Sequence, residues 1–203
     1  MILYVIILVG LSGLTTAVYA SLFGPRAAAR RRLRLASREL VDGTVVTLTG
    51  KVVAQNTVLE APLSGRDGVA FSASARIYSG NRNMRSLVAE VAESMMLEFQ
   101  LETKQGKVVV AECDHVVIEF PPEPIIPRKI QRDQKFLDDH GYPEISAQVA
   151  GFDEVVIIPG MKISVHGAVR IEAAPDESNY RETGKRIVLT APPGHPLTIG
   201  RPI

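Results

Sequence analysis

The hydrophobic pattern of this chain changes period once, near residue 42. From Met1 to Phe23 the sequence MILYVIILVGLSGLTTAVYASLF carries no charged residue, and its only polar breaks are Ser, Thr and Tyr. About 22 helical residues rising 1.5 Å each span roughly 33 Å, enough to cross a hydrocarbon layer of about 30 Å. The pattern predicts a transmembrane helix over 1–23. The segment PRAAARRRLRLASREL then predicts a basic juxtamembrane helix over 24–42, ended by Asp42-Gly43.

Beyond it the period becomes two, the signature of strands. Val46, Leu48, Gly50 and Val52 fall on one face, opposite Thr47, Thr49 and Lys51. Val69, Phe71, Ala73, Ala75 and Ile77 alternate with Ser72, Ser74 and Arg76. Met95, Leu97, Phe99 and Leu101 alternate with Glu98, Gln100 and Glu102. KQGK turns that strand into VVVAE as a hairpin. EVVIIPGMKISVHGAVRIE reads as strand, Pro159-Gly160 turn, strand. Its second strand sets Met161, Ile163, Val165, Gly167, Val169 and Ile171 against Lys162, Ser164, His166 and Arg170. RIVLTA is a last strand before a proline-rich tail. PPEPIIP, residues 121–127, is extended because proline fixes φ and lacks a donor. RKIQRDQKFLDDHG predicts one short helix ended by Gly141. Residues 82–94 take no assignment, and no internal repeat is visible.

Six to eight short strands with one helix define a mainly β fold: a membrane helix plus a compact OB-like barrel or sandwich over 43–199, with a tail at 200–203.

Charge orients the anchor. No basic residue precedes the apolar run, and Arg26, Arg30, Arg31, Arg32, Arg34 and Arg38 follow it. Basic flanks resist translocation, so the N-terminus is expected outside and the domain in the cytoplasm. The rival is a signal peptide cleaved after AVYA, which would export the domain. The six arginines are suited to anionic lipid headgroups, at about 1 kcal/mol each near the surface. They also hold six of the 23 basic residues, leaving 17 to face all 22 acidic ones. The domain is therefore near −5, the wrong sign for a nucleic-acid partner. Gly13 and Ala17 form a small-xxx-small pair through which the membrane helices could dimerise.

Candidate chemistry is sparse. Cys113 is the single cysteine, so no internal disulfide exists. Cys113 and His115 would share a face of an extended strand, but no orienting group or oxyanion site accompanies them. His115, His140, His166 and His195 lack metal-ligand spacing, and no metal or cofactor is expected. In the loop LEAPLSGRDGVAF, Pro62, Ser64, Gly65 and Arg66 are the candidate binding residues. The glycine spacing is not a P-loop, and a strand follows rather than a helix. Gly65 and Gly68 are expected to supply positive φ for a tight turn, Pro62 to stiffen its entry, and Arg66 and Asp67 to solvate its tip. No catalytic residue is assigned.

Five segments in order, VTLTGKV, LEAPLSGRDGVAF, MLEFQLETKQGKVVVAE, EVVIIPGMKISVHGAV and RIVLTAPPGHPL, resemble the GIDE-type, or beside-a-membrane, domain. That domain belongs to the mitochondrially anchored ubiquitin ligase and its bacterial and archaeal relatives. The resemblance covers residues 44–199, with APLSGR its most specific piece. It implies a β-rich module beside a membrane. This chain departs from the family in three ways: Asp67-Gly68 stands where a Pro-Cys pair is common, a second membrane helix is not found, and one cysteine cannot supply the zinc ligands of a RING. Ligase activity in the relatives resides in that RING. The expected function is a membrane-anchored module for protein interaction or scaffolding with an unknown protein partner. The alternative is an enzyme, or an accessory subunit of a ligase-like membrane complex, with a pocket near Ser64, Arg66 and Cys113.

Overall fold

In the computed structural model, residues 40–53, 57–79, 86–121, 129–148, 150–173 and 185–202 are described. The membrane segment 1–23, the arginines Arg26 to Arg38 and the Gly13/Ala17 pair lie outside them. Among the described residues no helix is long and apolar enough to cross a membrane.

The elements in chain order are β1 (Val45–Val53), β2 (Leu59–Glu60), β3 (Asp67–Gly68), β4 (Ala70–Ser79), β5 (Ser86–Met96), β6 (Phe99–Thr103), β7 (Gly106–Val110), β8 (Val116–Glu119), α1 (Ile130–Asp139), β9 (Ala150–Ile157), β10 (Lys162–Ala173), β11 (Lys185–Thr190) and β12 (Leu197–Gly200). Five of them close a barrel in the order β1-β6-β7-β11-β10, with β10 returning to β1. Closure needs β1 to serve two partners. Val45–Lys51 pairs with Ala168–Lys162, and Gly50–Val53 pairs with Thr103–Gln100. Gly50 belongs to both ladders. A Cβ there would lie 2.5 Å from the Glu102 carbonyl oxygen, so β6 approaches too closely for any side chain. β11 meets β7 in parallel, and β12 with β8 extends the sheet beyond the ring along β10.

The inward face predicted for β1 fills this barrel: Val46, Leu48 and Val52 are buried with Phe99, Leu101, Ile163, Val165 and Leu189. On β10, however, Ser164 and His166 are buried as well. Their polarity is met across the seam. His166 Nδ1 lies 3.0 Å from Thr47 Oγ1, and Ser164 Oγ lies 2.6 Å from Thr49 Oγ1. Each pair is directly opposed in the β1–β10 register.

A second lobe is built from β4, β5 and β9, the β2–β3 pair and α1. β4 sends Phe71, Ala73, Ala75 and Ile77 into a separate apolar cluster with Ala61, Leu63, Phe136 and Leu137. β9 serves both lobes, since Val155 and Ile157 enter the barrel core while Val156 enters the second. The helix forms where expected. Asp133, Phe136 and Leu137 are its buried residues, spaced three and four apart. Gly141 ends it at φ +85, with Tyr142 N donating to Leu137 O at 2.9 Å.

Several elements differ from the periodicity reading. The alternation of Met95 to Leu101 is divided between β5 and β6, which break at Leu97-Glu98. The unassigned stretch 82–94 contains most of β5. The proline-rich tail folds back as β12, whose Leu197 and Ile199 are fully buried and whose last residue is Gly200. Pro192 and Pro196 punctuate that return without preventing it, because both lie outside the ladder.

Candidate functional site

The loop between β2 and β3 begins with two apolar anchors. Ala61 and Leu63 are fully buried in the second core, and burying a leucine contributes about 1.5–3 kcal/mol. Between and after them the backbone reverses tightly. Gly65 N donates to Ala61 O at 2.9 Å, and Ala61 N donates to Arg66 O at 2.9 Å. Gly65 has φ +72, as a left-handed turn position requires. Gly68 does not have positive φ. Its reason is space: a Cβ would lie 2.5 Å from Val156 Cγ1 and 2.8 Å from Ile157 O. The expectation for Gly68 is corrected accordingly.

Two side chains that the sequence reading did not single out hold this turn. Glu154 of β9 is 1% exposed. Its Oε1 accepts Leu63 N at 2.8 Å, and its Oε2 accepts Ser64 N at 3.1 Å. A buried carboxylate requires such donors, because an unpaired charge costs several kcal/mol after relaxation. Arg132 of α1 closes the other side. It pairs with Glu60, and its guanidinium lies against Gly65, where an added Cβ would meet Cζ at 2.7 Å. Ser64 Oγ accepts Arg66 N at 3.2 Å, so the candidate hydroxyl is engaged in the turn. Pro62 is partly buried, and Arg66 and Asp67 are exposed at the tip.

The alternative pocket draws on residues from different places. Cys113 packs against the barrel core, whereas Ala61 and Leu63 anchor the turn in the second core. The Cys113 thiol contacts backbone rather than imidazole, donating to His115 O at 3.3 Å and accepting His115 N at 3.4 Å. His140 places Nδ1 2.8 Å from Phe136 O, with Nε2 3.8 Å from Glu93. Among the described residues no three His, Cys, Asp or Glu side chains come together to hold a metal ion.

An open concavity lies elsewhere, on the barrel. A groove of about 560 Å³ runs along the outer side of β1, from Thr47 and Thr49 to Lys51, Lys162 and the Lys104-Gln105 hairpin tip. Alternation had placed Thr47, Thr49 and Lys51 on this face. Their proximity to Lys104 depends on β1 passing from β10 to β6 at Gly50, which periodicity does not encode.

Comparison with protein-family models, curated proteins and solved structures finds no match. The fold and site define a closed five-stranded barrel carrying a β-rich second lobe.

Proposed function

We propose that this chain is a single-pass membrane protein that displays an OB-like β module at the cytoplasmic face for protein interaction or scaffolding, in the manner of a GIDE-type domain without a RING. The observation that carries the anchor is the uncharged run 1–23 followed by six arginines. Support for an OB-like reading is the ring of five strands with a parallel β7–β11 contact.

The interaction half rests on β5. This strand is 11 residues long and, among the described residues, pairs only with β4. Leu87, Val88 and Met95 are 55%, 62% and 45% exposed. Natural edges are often blunted by lysine, proline or a short length. SLVAEVAESMM has none of these, and its protection is limited to Glu90, Glu93 and one register shift against β4. An extended segment of a partner protein fits such an edge by adding a strand.

Proximity labelling from the full chain tests both halves together. Deleting residues 1–23 and, separately, replacing Leu87 and Val88 with Lys should each remove the same labelled protein. If both variants keep the wild-type labelling pattern, the reading is wrong. Protease added to intact cells should spare the domain; digestion from outside would reverse the topology.

A further inference from the structure

The groove on β1 carries a charge arrangement that sheet energetics disfavour. Lys51 and Lys162 are directly opposed in the β1–β10 ladder, and like charges in that position destabilise a sheet. Lys104, at the β6–β7 hairpin, lines the same groove. None of the three makes an ion pair among the described residues. Glu102, opposed to Lys51 on its other side, is the acidic residue of the lining, and it is also opposed to Lys107. Three ammonium groups against one carboxylate leave a local excess of two positive charges, on a domain whose overall balance is negative. Thr49 adds a hydroxyl to the lining.

We propose that this groove binds a phosphate group, seated between Lys51 and Lys162 with Lys104 approaching from the hairpin. A phosphate dianion matches the excess of two charges, and it converts the Lys51–Lys162 repulsion into a shared attraction. Its volume of about 560 Å³ leaves room for a phosphomonoester as well as the bare ion. The site does not rest on the membrane anchor or on the β5 edge.

Equilibrium dialysis of the full chain against radiolabelled inorganic phosphate tests it at fixed ionic strength. Saturation at one phosphate per chain is expected, weakened at least about tenfold in K51Q/K162Q. Lys104→Gln, outside the β1–β10 seam, should weaken it in the same direction. Without phosphate the single variant K162Q should melt no lower than wild type, because it removes the repulsion and leaves Lys51 opposite Glu102. Phosphate should raise the Tm of wild type more than that of the double variant. Absence of saturable binding, or equal binding and equal Tm response in both proteins, would overturn the proposal. Given saturable binding, vesicles of phosphatidylcholine with and without phosphatidate separate two sources of the group. A lysine-dependent gain on phosphatidate assigns a lipid headgroup, and equal retention of both proteins assigns a soluble phosphate compound.

Discussion

Glu154 accepts the backbone N–H of Leu63 at 2.8 Å across 91 residues of sequence, and both groups are buried. The contact joins the APLSGR turn to β9, a strand that lines both cores. The turn is thus held by a carboxylate rather than offered as a free loop.

Replacing Glu154 with Ala leaves the N–H groups of Leu63 and Ser64 without an acceptor in a buried setting. A loss of about 2–4 kcal/mol is expected, since hydrogen bonds to charged groups contribute about 1.5–3 kcal/mol and buried unsatisfied donors add a penalty. Glu154→Gln keeps an acceptor and should cost less. Urea denaturation orders the two variants, and an Ala variant no less stable than the Gln variant would refute the account.

Gly65→Ala and Gly43→Ala form a matched pair. Both positions have positive φ, +72 and +77, but only Gly65 has a neighbour in the way. Gly43→Ala should cost about 1–2 kcal/mol from backbone strain alone, and Gly65→Ala more than that. Adding Arg132→Ala should recover part of the difference. Thermal melts of the four proteins would show whether that coupling exists.

Gly50→Ala should be the most damaging of the glycine substitutions. Its Cβ would clash first with the Glu102 main chain, and also with the buried Leu101 side chain, at the point where β1 changes partners. A cost of about 3 kcal/mol or more follows from overpacking without a relaxation route. The expected readout is loss of amide protection in β1 and β6 by hydrogen exchange.

Thr49 and Ser164 are hydroxyl partners at 2.6 Å in directly opposed positions. A double-mutant cycle with Thr49→Val and Ser164→Ala should return a coupling of about 0.2–1 kcal/mol. Zero coupling would mean that water serves each hydroxyl equally well.

Where the hydrophobic alternation was strong, the fold was legible. Val46, Leu48 and Val52 face the core they were expected to face, and Gly141 ends the helix expected to stop there. The alternation failed where a strand buries both faces or neither. Ser164 and His166 sit on the polar side of β10 yet are buried, because hydroxyl partners on β1 meet them. β5 escaped notice because its exposed leucine and valine obey no inside–outside rule. The turn was recognisable from Pro62, Ser64 and Gly65, but its supports were not. Glu154 and Arg132 reach it from distant elements, and the only local signal was the acidic pair Asp153-Glu154 opening an apolar run. The groove was invisible for the same reason, since Lys51, Lys104 and Lys162 converge only when the ring closes.

Ring closure also sets a timetable. Thr47 and His166 are 119 positions apart, and ribosomes add roughly 5–20 residues per second. For about 6–24 s after β1 is made, the strand that completes its ladder does not yet exist. During synthesis β1 can form only its shorter pairing, with β6, and its outer edge waits beside the ribosome exposed to other unpaired strands. The order of the strands therefore makes synthesis itself a period in which this domain is open to mispairing.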